Sequence, residues 1–147
     1  FDKKAVQIGG GDPHRMNLSD GILIKDNHLA LVPLEDALRA ARNHSAYKKI
    51  EVEVESAADA MKAAAAGADI IMLDNMTPAR VQETLSVLNG NRLRDRVIIE
   101  ISGGIDEDSI RDYAACGVDV ISMGALTHTV KNFSLSLEIQ PVKVGKE

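Results

Sequence analysis

The run Ala66–Gly67–Ala68–Asp69–Ile70–Ile71 returns 50 positions later as Cys116–Gly117–Val118–Asp119–Val120–Ile121. Each copy stops a helix-like segment at a glycine, enters a short β-branched run and ends in a polar or glycine turn. That order is a βα unit, and its recurrence points to an α/β fold on a parallel sheet. The rest of the chain keeps the same alternation. Strands are predicted over Ile22–Lys25, Ile50–Glu55, Asp69–Leu73, Arg96–Ile101 and Asp119–Ser122, with Ser134–Ile139 as a last candidate. Helical spacing predicts helices over Pro33–Arg42, Ser56–Ala66, Thr77–Leu88 and Asp106–Ala115. Ser56 with Asp59, and Thr77 before Pro78, are N-terminal caps, and Gly67 and Gly117 fit helix stops.

Five parallel strands in 147 residues fall short of an eight-fold barrel, which needs about 250 residues. The expected fold is an incomplete, open α/β barrel, TIM-like, of which residues 1–140 form the C-terminal part and 141–147 a tail. The chain opens on Phe1 rather than Met, so it is expected to be the later part of a longer polypeptide.

Charge and composition narrow the function. A formal net charge of −5 argues against a general nucleic-acid surface, which needs a basic face. It leaves room for a local basic pocket. The single Cys116 excludes an intrachain disulfide and a cysteine-built metal site. No apolar run reaches the roughly 18–20 residues of a membrane span, and no signal-peptide pattern opens the chain. The chain is therefore read as cytoplasmic.

In a parallel α/β array, chemistry collects at the C-terminal ends of the strands. Those ends carry Lys25, Asp26, Asn27 and His28; Glu53 and Glu55; Asp74 and Asn75; Ser102–Gly103–Gly104; and Ser122–Met123–Gly124. Upstream of the first strand stands Gly9–Gly10–Gly11–Asp12–Pro13–His14–Arg15. Glycine turns on consecutive strands can aim backbone N–H groups at a phosphate. Taken together, Gly103, Gly104 and Gly124 favour that use over plain tight turns, with His128 within reach of the second turn.

Glu53 and Asp74, on neighbouring strands, can hold Mg²⁺ directly or through water, or bind ribose hydroxyls. If they point inward, a cation or Lys25 is expected beside them. Glu51 and Glu55 are expected to form a solvated acidic face. His14, Arg15 and Lys25 supply the basic side, suited to carboxylate or phosphate. No Ser-His-Asp or Cys-His constellation and no zinc-ligand spacing is evident.

Six segments then occur in a specific order: GGGDPHR at 9–15, LIKDNH at 23–28, EVEVES at 51–56, ADIIMLDN at 68–75, ISGGI at 101–105 and ISMGALTH at 121–128. From Phe1 to about Leu137 the series resembles the C-terminal part of the quinolinate phosphoribosyltransferases. The resemblance implies transfer of phosphoribose from phosphoribosyl pyrophosphate to quinolinate, with Mg²⁺ as cofactor. The products are nicotinate mononucleotide, pyrophosphate and CO2, at the entry to NAD synthesis. It implies an N-terminal sandwich domain that this chain lacks, and dimers or higher homo-oligomers in which a neighbour's N-terminal domain completes the site. By position, His14, Arg15 and Lys25 match the quinolinate pocket, with Lys25 also near the phosphoribosyl group. Glu53 and Asp74 match the acids facing ribose and metal. Ser102, Gly103, Gly104, Gly124 and His128 match the 5′-phosphate site, and Asn27 and His28 are supporting residues.

The family's Thr-Arg-Lys-Thr stretch is absent from this chain and is expected upstream, so the chain alone is expected to be an incomplete enzyme. Three alternatives stay open on sequence: a related phosphoribosyltransferase with another acceptor, another phosphate-binding barrel enzyme, and a non-catalytic fragment.

Overall fold

The computed structural model describes residues 1–131 and 133–140; the tail expected over 141–147 lies outside them. Five strands form one sheet in sequence order, every neighbouring pair parallel. They are β1 (Ile22–Ile24), β2 (Ile50–Val54), β3 (Ile70–Asp74), β4 (Ile98–Ser102) and β5 (Val120–Ile121). The helices are α1 (Asp2–Ile8), α2 (Asp26–Leu29), α3 (Leu34–His44), α4 (Ala57–Ala65), α5 (Pro78–Gly90), α6 (Ile110–Ala114) and α7 (Ala125–His128). A parallel sheet with sequential order and a helix in each crossover is the open α/β architecture that the repeat implied. All five strand C-termini emerge on the same edge.

Register divides the sheet into two chemically different faces. Ile50, Val52, Val54, Ile71, Leu73, Ile99 and Ile101 point to the helices and are buried with Leu38, Ala60, Ala63, Val81 and Leu88. This is the hydrophobic core, and the small alanines of α4 let that helix lie close on the sheet. The other face runs in rows set by strand pairing. Glu53 pairs with Met72, Met72 with Glu100, and Glu100 with Val120. One row nearer the strand ends, Asp74 pairs with Ser102. Side chains paired in register project to one side, so the acids at positions 51, 53, 74 and 100 share the non-helical face.

The repeat proves to be a structural device. Asp69 Oδ2 accepts the N–H of Ile50 at 2.8 Å and a guanidinium N–H of Arg42 at 2.9 Å. Asp119 Oδ2 accepts the N–H of Ile99 at 2.7 Å and pairs with Arg94 at 2.9 Å. The same arginines also donate to the carbonyls of Gly67 and Gly117, respectively. Each copy therefore ties the start of one strand to the helix stop of the next unit. The caps hold as expected: Ser56 Oγ accepts from Asp59 N–H, Thr77 Oγ1 from Arg80 N–H, and Gly67 and Gly117 take positive φ of 92° and 81°.

Several boundaries differ from the sequence expectation. The last candidate strand, Ser134–Ile139, is irregular and exposed. β5 has only two residues, so it offers a short edge, and Leu135, Leu137 and Ile139 stay in solvent. The helix expected from Asp106 begins at Ile110 because Asp106 Oδ1 accepts from the N–H of Asp108 and from both N–H and Oγ–H of Ser109. Those bonds build a turn in place of the first helical turn. Residues 94–96 form a single 3-10 turn, so β4 starts at Ile98. α1 and the one-turn helices α2 and α7 have no counterpart in the predicted elements.

Candidate active site at the strand ends

β1 ends at Ile24, and the chain turns at once into α2. His28 Nδ1 accepts the N–H of Lys25 at 2.9 Å, and Asp26 Oδ1 accepts the N–H of Asn27 at 2.7 Å. This local bonding fixes the backbone at Lys25. Its ammonium then reaches Glu53 Oε1 at 3.0 Å; half of the Lys25 side chain is exposed, against 12% for Glu53. The bond to Glu53 and its charge raise the Lys25 pKa above the ordinary lysine value, and Asp26 and Asp74 add to the effect. The expected cation beside the inward acids is Lys25 itself.

Asp74 ends β3 and accepts from Asn75 Nδ2 at 2.9 Å. Asn75 has a left-handed φ of 52°, and its N–H donates to Ser102 O at 3.0 Å. These contacts lock the ends of β3 and β4 together. Gly103 lies against that lock: a Cβ there would fall 2.4 Å from Asn75 Oδ1 and 2.7 Å from Asn75 N, at a φ of +97°. Only glycine fits both demands. Gly104 also has positive φ, at +65°, with open space around it. The N–H groups of Gly103 and Gly104 find no acceptor among the described residues. They stand as free donors at the strand edge, as an anion cradle requires.

Gly124 follows β5 and precedes α7. Its φ is ordinary, and a Cβ there would meet only the ring of His128, with Nε2 2.5 Å away. His128 thus sits over the Gly124 turn, exposed, with Nδ1 2.6 Å from Thr129 Oγ1. Ser102 and Gly103 are partly buried, while Gly104 and Gly124 are exposed.

The loop after α1 brings the remaining basic groups. Lys3 donates to the carbonyls of Pro13 and Arg15 and pins the loop. Asp12 Oδ1 accepts the N–H of His14, whose φ is 56°. His14 Nε2 then meets Glu51 Oε2 at 3.0 Å, and Glu51 is only 5% exposed. This corrects the expected solvated face: Glu55 is exposed, but Glu51 is buried under the His14 loop. Arg15 is half-buried, and its guanidinium has no partner among the described residues.

Glu100 was not singled out in the sequence. It is 3% exposed and its Oε1 accepts from Ser122 Oγ at 2.5 Å. Burial raises its pKa above the usual carboxylate value; Ser122 opposes this and the charge of Glu51 reinforces it. The His14 pKa is raised, foremost by its bond to Glu51, against a lowering by burial; the charges of Glu51 and Glu100 raise it further.

Two carboxylate groups differ in what they suit. One ligand atom from each of His14, Glu51 and Glu100 lies within 4.8 Å of the others. Within it Glu51 is bonded to His14 and Glu100 to Ser122. Glu53 and Asp74 offer oxygen donors only, each with one oxygen lacking a hydrogen-bond partner among the described residues. An all-oxygen set at a strand edge fits Mg²⁺, which keeps several waters and takes one or two carboxylates.

The arrangement combines the basic residues His14, Arg15 and Lys25, the acids Glu53 and Asp74, and two glycine turns. The chain matches the family described as quinolinate phosphoribosyl transferase, C-terminal domain, over residues 1–138. It is 54% identical over 97% of its length to a probable carboxylating nicotinate-nucleotide pyrophosphorylase of Methanothermobacter thermautotrophicus, covering 52% of that protein. It is 39% identical over 96% of its length to the human carboxylating nicotinate-nucleotide pyrophosphorylase, covering 49% of it. The nicotinate-nucleotide pyrophosphorylase structure from Francisella tularensis superposes with a TM-score of 0.81 at 40% identity, over 92% of this chain and 46% of that one. The chain spans about half the length of the curated relatives it matches. It belongs to the quinolinate phosphoribosyltransferase family and corresponds to that family's C-terminal domain.

Proposed function

We propose that this chain carries the strand-end half of an active site that converts quinolinate and phosphoribosyl pyrophosphate to nicotinate mononucleotide, pyrophosphate and CO2. The observation that carries the reading is the Lys25–Glu53 pair, 3.0 Å apart at the ends of β1 and β2. His14, Arg15 and Lys25 bind the two carboxylates of the acceptor; Arg15 supplies a fork of parallel donors and Lys25 a point charge. Ser102, Gly103, Gly104, Gly124 and His128 receive the 5′-phosphate.

Glu53 and Asp74 face the ribose. They would hold Mg²⁺, directly or through water, and the ion when bound supplies charge stabilisation to the leaving pyrophosphate. Facing the ribose in this reading, the Glu53 carboxylate also favours positive charge on the ring as the C1–O bond breaks. The pyridine nitrogen forms the new bond to C1 from the opposite side. The 2-carboxylate then leaves as CO2, its bonding electrons stabilised by the cationic ring, and a proton replaces it at C2. Positioning and charge do most of this work, so the site needs no protein nucleophile.

The same reading includes a cytoplasmic enzyme, a homo-oligomer of two or more subunits, and completion of the site by an N-terminal domain. The coverage of about half of each relative supports that last part. Calorimetric titration of the intact protein tests the substrates. Quinolinate is expected to bind, and phosphoribosyl pyrophosphate to bind only with Mg²⁺ present. Absence of heat with quinolinate, in a protein that does bind phosphoribosyl pyrophosphate, would overturn the acceptor and point to another member of the fold.

A further inference from the structure

His14 lies at the boundary between the buried acids and the open edge: a third of its side chain is exposed, against 7% for Glu51. Nε2 is bonded to Glu51 Oε2 at 3.0 Å, and Nδ1 has no partner among the described residues. Glu51 is acceptor-only when ionised, so Nε2 must carry the proton in that bond. A neutral imidazole held this way presents Nδ1 as a bare acceptor, which repels a carboxylate. Only the imidazolium presents an Nδ1–H donor while keeping Glu51 satisfied. Glu51 needs that charge as well. Its second oxygen, Oε1, is buried with no hydrogen-bond partner, and a buried carboxylate is costly unless a cation compensates it.

We propose that Glu51 is the positioning residue that holds His14 as an imidazolium with Nδ1–H free for a carboxylate of the acceptor. This rests on the proposed function for the identity of the acceptor, but the His14–Glu51 couple does not. Glu51 acts through His14 and touches no substrate. Glu100 on β4 adds negative charge behind the ring, Asp12 binds the loop backbone, and Arg15 opposes the protonation. The raised His14 pKa agrees with the geometry. Acceptor affinity then falls as pH rises through that pKa, because the donor at Nδ1 is lost.

The test uses intact protein labelled at histidine Cε1, with the His14 signal assigned by its loss in His14→Gln. Glu51→Gln retains an oxygen acceptor and nearly the same volume, and removes the charge. In this variant the His14 titration is expected to move down toward free imidazole. Quinolinate binding near pH 7.5 is expected to weaken roughly tenfold, and the pH at which affinity falls should move down with the titration. His14→Gln should bind weakly with that pH step gone. If Glu51→Gln leaves the His14 titration and the pH step where they are in the wild type, the positioning role is wrong, whatever happens to affinity. The titration needs no ligand. A wild type that fails to bind quinolinate would therefore reject the acceptor, while the His14 shift still decides the couple.

Discussion

At the scale of single residues, charge placement decides what each group does. Lys25 is half exposed and so contributes little to the fold; removing its surface-side pair should cost less than about 1 kcal/mol of stability. The proposed function puts its role in the site. Lys25→Ala is expected to keep the wild-type far-ultraviolet spectrum and Tm within a few degrees, and to lose turnover. Near-normal turnover would return the stretch around Lys25 to an ordinary capped turn. His14 has a measurable consequence for folding too. Its folded pKa is raised above 6.5, so the imidazolium's contribution is fully present below the unfolded value. It is lost as pH rises through the folded value. The difference in stability between wild type and His14→Gln should therefore narrow on going from pH 6 to pH 9. A gap that widens with pH would contradict the His14–Glu51 bond. Glu100 has the same sign of linkage, but here it is the charged form that costs stability. Burial raises its pKa, so Glu100→Gln should gain Tm relative to wild type at pH 8 and show no gain at pH 4.

At the scale of elements, the strands and the long helices were legible because period and punctuation agree. The two copies of the Gly–x–Asp stop and strand start come out as twin locks, Asp69 on Ile50 N–H and Asp119 on Ile99 N–H. Asp69→Ala leaves a buried strand N–H without its acceptor and should cost about 1–2 kcal/mol in chemical denaturation. The glycine turns separate into two kinds. Gly103→Ala meets Asn75 at a φ of +97° and should cost at least about 2 kcal/mol. Gly104→Ala meets nothing within 4 Å and should cost only about 1 kcal/mol from its φ. Equal costs would mean that the Asn75 lock does not constrain the turn.

What was not legible depends on distant partners. An alternating Glu51–Val52–Glu53–Val54 strand looks like one dry and one wet face. Nothing local shows that a loop 37 positions upstream closes over Glu51. Glu100 sits in an otherwise apolar run, and its partner Ser122 directly follows the next strand; both could be inferred only once strand register is known. The apolar alternation at 134–139 suggested a strand because periodicity says nothing about whether an edge exists to receive it.

At the scale of the whole molecule, the order β1 to β5 sends every strand end to one edge. That topology brings a basic loop, an ion-paired acid and two glycine turns together without any of them being close in sequence. The helix-facing side supplies a continuous apolar core, and the opposite side is free to carry Glu51, Glu53, Asp74 and Glu100. Lys25 and His14 reach over that face and pair with Glu53 and Glu51. The most direct test is release of CO2 from carboxyl-labelled quinolinate by the intact protein, with Mg²⁺, with and without phosphoribosyl pyrophosphate. Release should occur only with phosphoribosyl pyrophosphate and should disappear in Lys25→Ala. A folded wild-type protein that releases no CO2 with both substrates present would contradict the assignment.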